Sequence, residues 1–311
     1  SWEQAYAPAN ATVASLTLTE KAGLLAGQGQ LSSRCVGNTA AIARLGLPAL
    51  CFNDGPAGIR LTKNVMGFPA SINAAATFMR RLMQARGAAM AEEFRRKGIH
   101  VLLGPAMDFM HNPKAERGWG SFGPDPYLTG EDVFATVTGI QSVGVQACAK
   151  HLSANNQEHW RYGLSMLVDD RTMHEMYWYP FLRSIEANVS AIMCAHNQLN
   201  GTSPCHNAAL LGPTGLVHAT GFQGYVVSDW GATHDSVADN ANAGLDMEQP
   251  GDWILIGASP LPPRMGMRVE LKRSRTGGSV FGTGGGNLAA AVSSGDVSTA
   301  VSSARVCAGS S

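Results

Sequence analysis

The stretch Tyr225-Val226-Val227-Ser228-Asp229-Trp230 is a short apolar run that stops at a carboxylate and an indole. Its length and its β-branched and aromatic side chains suit a strand buried on both faces, and the polar residues mark its carboxyl end. The same pattern recurs along the chain. Ala49-Leu50-Cys51-Phe52 runs into Asn53-Asp54, Val101-Leu102-Leu103 into Gly104-Pro105, and Val145 to Ala149 into Lys150-His151. Ser190 to Cys194 runs into His196-Asn197, and Ala243-Gly244-Leu245 into Asp246. Helical patterns lie between these runs. Residues 73–97 are rich in Ala, Met, Arg and Glu and hold no proline; residues 171–187 follow Asp170 as a candidate N-cap, with Glu175 in the early turns. Strands alternating with helices imply a parallel sheet with crossover helices. Any one of the polar residues reads equally well as an ordinary turn residue. Together, at the same end of successive strands, they point to one site at the top of a barrel. The expected fold is α/β, a (β/α)8 TIM-like barrel in complete or in incomplete, distorted form, followed by an irregular C-terminal segment.

Composition narrows the function classes. Of 311 residues, 45% are hydrophobic and 15% charged, which excludes global disorder. Lys plus Arg number 23 and so do Asp plus Glu, so there is no basic field for a nucleic acid. No apolar stretch approaches the roughly 20 residues that span a bilayer. The chain opens at Ser1 without a basic n-region, as expected where a secretory signal has been removed or left out. Residues 252–278 carry Ser259-Pro260, Pro262-Pro263 and a basic cluster from Arg264 to Arg275; a glycine-rich run, Gly277 to Gly286, follows. The expected division is a barrel over 1–251, a linker-like segment over 252–284 and a helical end over 285–311.

Six cysteines occur, none in a Cys-x-x-Cys arrangement. Cys35 and Cys51, and Cys194 and Cys205, are each near enough in sequence to close a small loop. With the Asn-x-Ser/Thr acceptors Asn10, Asn188 and Asn200 they favour an oxidising, secretory setting, against the alternative of buried free thiols in a cytosolic protein.

The polar residues at the strand ends, joined by Arg117, comprise Asp54, Arg117, Lys150, His151, His196, Asp229 and Trp230. Carboxylates, cations, imidazoles and an indole around one cleft suit a polyhydroxylated ligand, whose hydroxyls need donors and acceptors and whose C–H face needs an aromatic platform. A glycine-rich phosphate loop after the first strand is missing, which disfavours nucleotides, and no spacing suits zinc. No metal and no cofactor are expected. Asp229 is the carboxylate of most interest: ionised beside a sugar ring, it can attack the anomeric carbon and form a covalent glycosyl-enzyme. Spacing alone supports equally a role as the N-cap of a following helix.

These residues resemble glycoside hydrolase family 3. Cys51-Phe-Asn-Asp-Gly-Pro-Ala-Gly-Ile-Arg60 resembles its "DxPxGxR" signature, and Ala149-Lys-His-Leu-Ser-Ala-Asn-Asn-Gln-Glu-His-Trp-Arg161 its "KH" segment. Gly104-Pro-Ala-Met-Asp, continued by Glu116-Arg-Gly-Trp-Gly-Ser-Phe, and Ile192-Met-Cys-Ala-His-Asn-Gln198 are similar to further family segments. Gly221 to Gly231 and Ala243 to Gly251 resemble the nucleophile motif. The likeness spans about 1–251 and 285–306 and is nearest to fungal secreted β-glucosidases.

The resemblance implies retaining hydrolysis of terminal non-reducing β-D-glucosyl residues from small oligosaccharides or glucosides, by a secreted enzyme. It implies Asp229 as nucleophile, Asp54, Arg117, Lys150 and His151 on the glucose hydroxyls, Trp230 as platform and Met193 as pocket lining. Arg60 and Arg161 would support these from behind, and Cys35–Cys51 and Cys194–Cys205 would be disulfides. His196 stands where the family has a tyrosine beside the nucleophile. The family's glucosidases carry their acid/base glutamate on a second, sandwich domain, and no glutamate of this chain matches it by motif. The expectation is therefore a barrel domain without its general acid, a group worth about 10²–10⁴ in rate. Two other readings are a single-barrel β-N-acetylglucosaminidase, whose glycine-rich histidine loop is not matched after His151, and a non-catalytic fragment that keeps a sugar site.

Overall fold

The structure, a computed structural model, describes residues 1–29 and 34–251. The described strands are β1 (Gly37–Asn38), β2 (Cys51–Asp54), β3 (Val101–Leu103), β4 (Gln146–Leu152), β5 (Ser165–Met166), β6 (Ala191–Cys194), β7 (Gln198–Leu199) and β8 (Tyr225–Ser228). Six build one sheet in the order β1-β2-β3-β4-β6-β8. β1 is antiparallel to β2 and all other neighbours are parallel, with Phe52 opposite Val101 and Ala191 opposite Tyr225. β5 and β7 pair with each other apart from this sheet.

The sheet curls until its edges are linked by single bridges. Val227 of β8 bridges Met247, Glu248 bridges Ala26, and Gln28 bridges Asn38 of β1. The Ser228 N–H donates to the Met247 carbonyl at 2.9 Å and the Gly27 N–H to that of Glu248 at 2.9 Å. Asp246 Oδ2 accepts from the Val226 N–H at 2.8 Å, and Ser228 Oγ accepts from the Gln249 N–H at 2.8 Å. The barrel is thus of the TIM-like type in its incomplete form, joined at the seam by bridges instead of full strands. The strand expected at Ala243–Asp246 does not form. Ala243 ends the helix Val237–Ala243, Gly244 closes it at φ 111°, and the seam residues follow.

Alternation along the strands separates two cores. Phe52, Val101, Leu103, Cys148, Ala191, Met193, Tyr225 and Val227 fill the inside of the curl together with Met247. Leu102, Ala147, Ala149, Ile192 and Val226 belong to the core shared with the helices. Both faces are therefore apolar, which is why the strands read as continuous hydrophobic runs. Helices Arg80–Arg96 and Pro126–Gln141 cross so closely that a Cβ on Gly139 would lie 2.1 Å from the Gln84 carbonyl oxygen.

Two helical expectations need correction at their boundaries. The pattern over 73–97 divides into Ser71–Ala75 and Arg80–Arg96, because Phe78 between them takes φ 52°. In the second, Asp169 and not Asp170 is the cap, its carboxylate accepting from the Thr172 N–H at 3.0 Å. A π-helical segment, Met173–Trp178, then precedes Tyr179–Glu186, with Pro180 in the first turn where its missing N–H is tolerated. The glycine- and proline-rich stretch before Gly221 yields only Ala208–Leu211 and Leu216–Ala219. The segments 252–284 and 285–311 lie outside the described residues. No described helix is long and apolar enough to cross a membrane.

Asp132, in the helix Pro126–Gln141, is 1% exposed, and its Oδ2 has no hydrogen-bond partner. Burial raises its pKa to about 6, with Arg80 opposing and Glu131 adding to the shift. The folded chain therefore holds this proton more tightly than the unfolded chain. The side chain favours the fold in acid and loses that contribution as pH rises through about 6. Asp132→Asn is expected to raise stability by about 1–2 kcal/mol above pH 7 and by little near pH 4. Urea denaturation at the two pH values checks this.

Candidate active site

The two-residue period that separates the cores also builds the site. Asp54 stands two residues after Phe52, Lys150 two after Cys148, Met193 two after Ala191 and Asp229 two after Val227. Each preceding residue belongs to the inner core, so these four side chains turn inward at the carboxyl ends of their strands. The register between β4 and β6 shifts between Lys150 and Leu152, which lets the consecutive residues Lys150 and His151 both face the cleft. Beyond β3 the chain runs alongside β4: Ala106 bridges Lys150, and the Met107 N–H donates to the Lys150 carbonyl at 2.7 Å. That path sets Asp108 against His151.

Lys150 Nζ donates to Asp54 Oδ1, and Arg60 donates to Asp54 Oδ2. Burial pushes the Asp54 carboxyl up, but the charges of Lys150 and Arg60 outweigh it and hold the group below its usual range. Asp229 Oδ1 accepts from the Trp230 N–H at 2.7 Å. Its Oδ2 lies 3.2 Å from His196 Nε2 and 3.5 Å from His151 Nε2. Burial again works to raise the carboxyl. The His196 hydrogen bond and the nearby Lys150 charge prevail, leaving Asp229 far below the ordinary carboxylate range and ionised.

His151 Nδ1 is 2.7 Å from Asp108 Oδ2, and its Nε2 is 3.0 Å from an Arg117 amino nitrogen. Burial depresses the His151 pKa against the pull of Asp108, so the ring is neutral at pH 7. A neutral ring that donates from Nδ1 to Asp108 presents the Nε2 lone pair to Arg117, and the hydrogen bonds are consistent. Arg117 also binds Glu158 Oε2 at 2.7 Å, and Arg161 Nε approaches Glu158 Oε1 at 3.3 Å. Tyr162 meets the His196 ring edge-on at 4.8 Å and lies 5.0 Å beneath the Arg161 guanidinium. The Trp230 indole donates to the Val36 carbonyl at 3.0 Å, which pins the ring across the seam.

All ten residues expected from the sequence to react with, bind or support a substrate line one cavity of about 470 Å3. That size falls within the roughly 300–1,000 Å3 typical of small-molecule sites. Arg60 and Arg161, expected behind the first layer, reach the cavity wall themselves. Asp229 does not cap a helix: Ser236 caps Val237–Ala243 by accepting from the Asp239 N–H at 3.1 Å. Sequence reasoning missed Asp108, Glu158 and Tyr162. Glu158 stands three residues before Arg161, a spacing that signals an ion pair, whereas nothing local marks Asp108 as the partner of His151.

Cys35–Cys51 and Cys194–Cys205 are disulfide-bonded. Cys148 is a free thiol inside the curl, and burial pushes its pKa up to about 12, which makes it inert. Asn10, Asn188 and Asn200 are exposed, and the Asn200 amide is engaged with the backbone of Val168 at 2.8 and 2.9 Å. No group of three or more His, Cys, Asp or Glu side chains suited to a metal occurs among the described residues.

The model of the family described as "Glycosyl hydrolase family 3 N terminal domain" matches residues 8–249. The chain belongs to glycosyl hydrolase family 3. Among curated relatives, it is 49% identical over 252 residues to the probable beta-glucosidase L of Aspergillus terreus, an alignment that takes in 81% of this chain and 34% of the relative. The beta-glucosidase D2-BGL of Chaetomella raphigera superposes with a TM-score of 0.83 at 40% identity, over 99% of this chain and 40% of that one. Beta-glucosidase 3B of Thermotoga neapolitana, solved in complex with glucose, gives 0.82 at 31% identity, over 97% and 41%. The chain spans about a third of the length of the curated relatives it matches.

The Asp108–His151 pair makes a prediction that needs no assay of turnover. Nitrogen chemical shifts are expected to find His151 as the Nδ1-protonated neutral tautomer at pH 7. Asp108→Asn is expected to shift the tautomer balance and to cost about 1–3 kcal/mol through the buried hydrogen bond it weakens.

Proposed function

We propose that this barrel carries the glucosyl site of a retaining β-glucosidase, acting on terminal non-reducing β-D-glucosyl residues of small oligosaccharides and glucosides. The observation that carries this reading is Asp229: an ionised carboxylate, walled by Lys150, His151 and His196, in a cavity that also presents Asp54 and the Trp230 indole. In the proposed mechanism Asp229 attacks C1, and the bond from C1 to the leaving oxygen breaks with its electron pair going to that oxygen. Water then cleaves the glycosyl ester and returns the carboxylate. Asp54 accepts from sugar hydroxyls, Arg117, Lys150 and His151 bind the others, Met193 and His196 line the pocket, and Trp230 underlies the ring. Arg60 steadies Asp54, and Arg161 acts through Glu158.

The scheme asks for a second carboxyl about 5–5.5 Å from the first, to protonate the leaving oxygen. Glu158 is the remaining carboxyl on the cavity wall among the described residues, and both its oxygens are taken by Arg117 and Arg161. We therefore assign it no acid role. Substrates whose leaving group departs without protonation, such as nitrophenyl glucosides, are the ones this barrel serves best. The family match over 8–249 supports a barrel unit of 1–251. The two disulfides support secretion, and the exposed Asn10 and Asn188 suit glycosylation, whereas a glycan on Asn200 would have to break the Val168 pairing.

A dinitrophenyl 2-deoxy-2-fluoro-β-glucoside is expected to leave one adduct, on Asp229, seen by mass spectrometry, and Asp229→Asn is expected to leave none. A folded sample that takes no label would overturn the nucleophile and favour a sugar-binding remnant. Nitrophenyl β-glucoside is expected to outpace the N-acetylglucosaminide by about tenfold or more; the reverse order would favour the N-acetylglucosaminidase reading.

A further inference from the structure

Two large apolar side chains that line the nucleophile's cavity stand open to solvent: Leu61 at 64% exposed and Tyr162 at 61%. They have different neighbours. Leu61 follows Arg60, whose guanidinium holds Asp54. Tyr162 stands against the ring of His196, with centroids 4.8 Å apart, and His196 in turn meets Asp229 Oδ2 at 3.2 Å. Arg161 holds the phenol in place by donating from Nη2 to Tyr162 Oη at 3.2 Å. These contacts leave most of the ring uncovered.

A β-linked glucoside in its chair form carries the C1 substituent equatorially, so the leaving group points away from the C4 hydroxyl. With the hydroxyls held by Asp54, Arg117, Lys150 and His151 and C1 at Asp229, the aglycone extends away from Asp54 toward solvent. On that side the open ring beside the nucleophile's own partner is Tyr162. The polar groups around this ring are already matched. Glu158 is bound by Arg117 at 2.7 Å and by Arg161 at 3.3 Å, and Arg161 also serves the phenol oxygen. The hydroxyls of a second sugar therefore compete for engaged partners, whereas a flat apolar group needs none. An aromatic pair is worth about 0.5–1.5 kcal/mol beyond the area it buries.

We infer that Tyr162 is the specificity-determining residue for the leaving group, and that it selects glucosides of aromatic alcohols. The aryl ring lies on Tyr162 while the bond from C1 to the phenolic oxygen breaks, and the electron pair leaves with the phenolate. Such a group departs with little help from an acid, which suits a cleft whose remaining carboxyl has no acid role. This inference rests on the proposed glucosidase reading and adds the aglycone class to it.

The test compares two probes on the full chain, dinitrophenyl 2-deoxy-2-fluoro-β-glucoside and 2-deoxy-2-fluoro-β-glucosyl fluoride. Both form the same bond between Asp229 and C1. One expels dinitrophenolate and the other fluoride, which has no surface to lay on Tyr162. The readout is the ratio of their second-order labelling rates, aryl over fluoride, followed by mass spectrometry. Tyr162→Ala is expected to lower this ratio about five- to tenfold. Tyr162→Phe, which keeps the ring and loses the Arg161 bond, is expected to hold it within about twofold. An unchanged ratio in Tyr162→Ala overturns the inference, whether or not both rates fall, because support of His196 acts on both probes alike. A Tyr162→Phe ratio as low as that of Tyr162→Ala also overturns it and assigns the effect to the Arg161 bond. Each of these results leaves the glucosidase reading standing, since the fluoride still labels Asp229. Absence of label from both probes in the unsubstituted chain removes the reading and the inference together.

Discussion

Two carboxylates share the closed end of the curl, and the constraint that governs the site is that neither can be buried there without a cation. Lys150 meets it. Its ammonium pairs directly with Asp54 and acts through space on Asp229, while being itself nearly inaccessible to water. A buried pair of this kind contributes little net stability, yet removing one partner costs about 3–5 kcal/mol because the other is stranded. The positions of Asp54, Lys150 and Asp229 are therefore interdependent. Arg60, His196 and the Trp230 N–H complete the compensation from the rim.

The imidazole of His151 serves a different purpose. Neutral and hydrogen-bonded between Asp108 and Arg117, it links the inner end of the cleft to the Arg117–Glu158–Arg161 series at its mouth. His196 rests on the exposed ring of Tyr162 while its Nε2 meets the same oxygen of Asp229 that His151 approaches. The direction of that carboxylate is set by His196, beyond β6, and by the Trp230 N–H as much as by β8.

Much of this was legible in the chain itself, for identifiable reasons. Val227 and Asp229 differ by two residues, as do Phe52 and Asp54, so once the strands are recognised their polar ends must share an inner face. Motif likeness added Met193, Arg60 and Arg161. Legibility failed where side chains from distant segments decide the outcome. Ala243 to Leu245, running into Asp246, has the look of a strand, yet none forms there, because Gly244 ends a helix and Asp246 spends its carboxylate on β8. The helix expected over 73–97 breaks at Phe78, a residue with no local signal for a left-handed backbone.

The sequence by itself determined the class of fold and the set of polar groups, since periodicity and residue type are local properties of a strand or helix. Only the tertiary structure decided which oxygen of Asp229 meets His196, that Asp108 stands behind His151, and that Arg60 and Lys150 converge on Asp54. The physical reason is that such pairings join residues as far apart as Asp54 and Lys150. Their distances depend on the curl of the sheet and the shift of register within β4, and neither is written in the neighbourhood of any one residue.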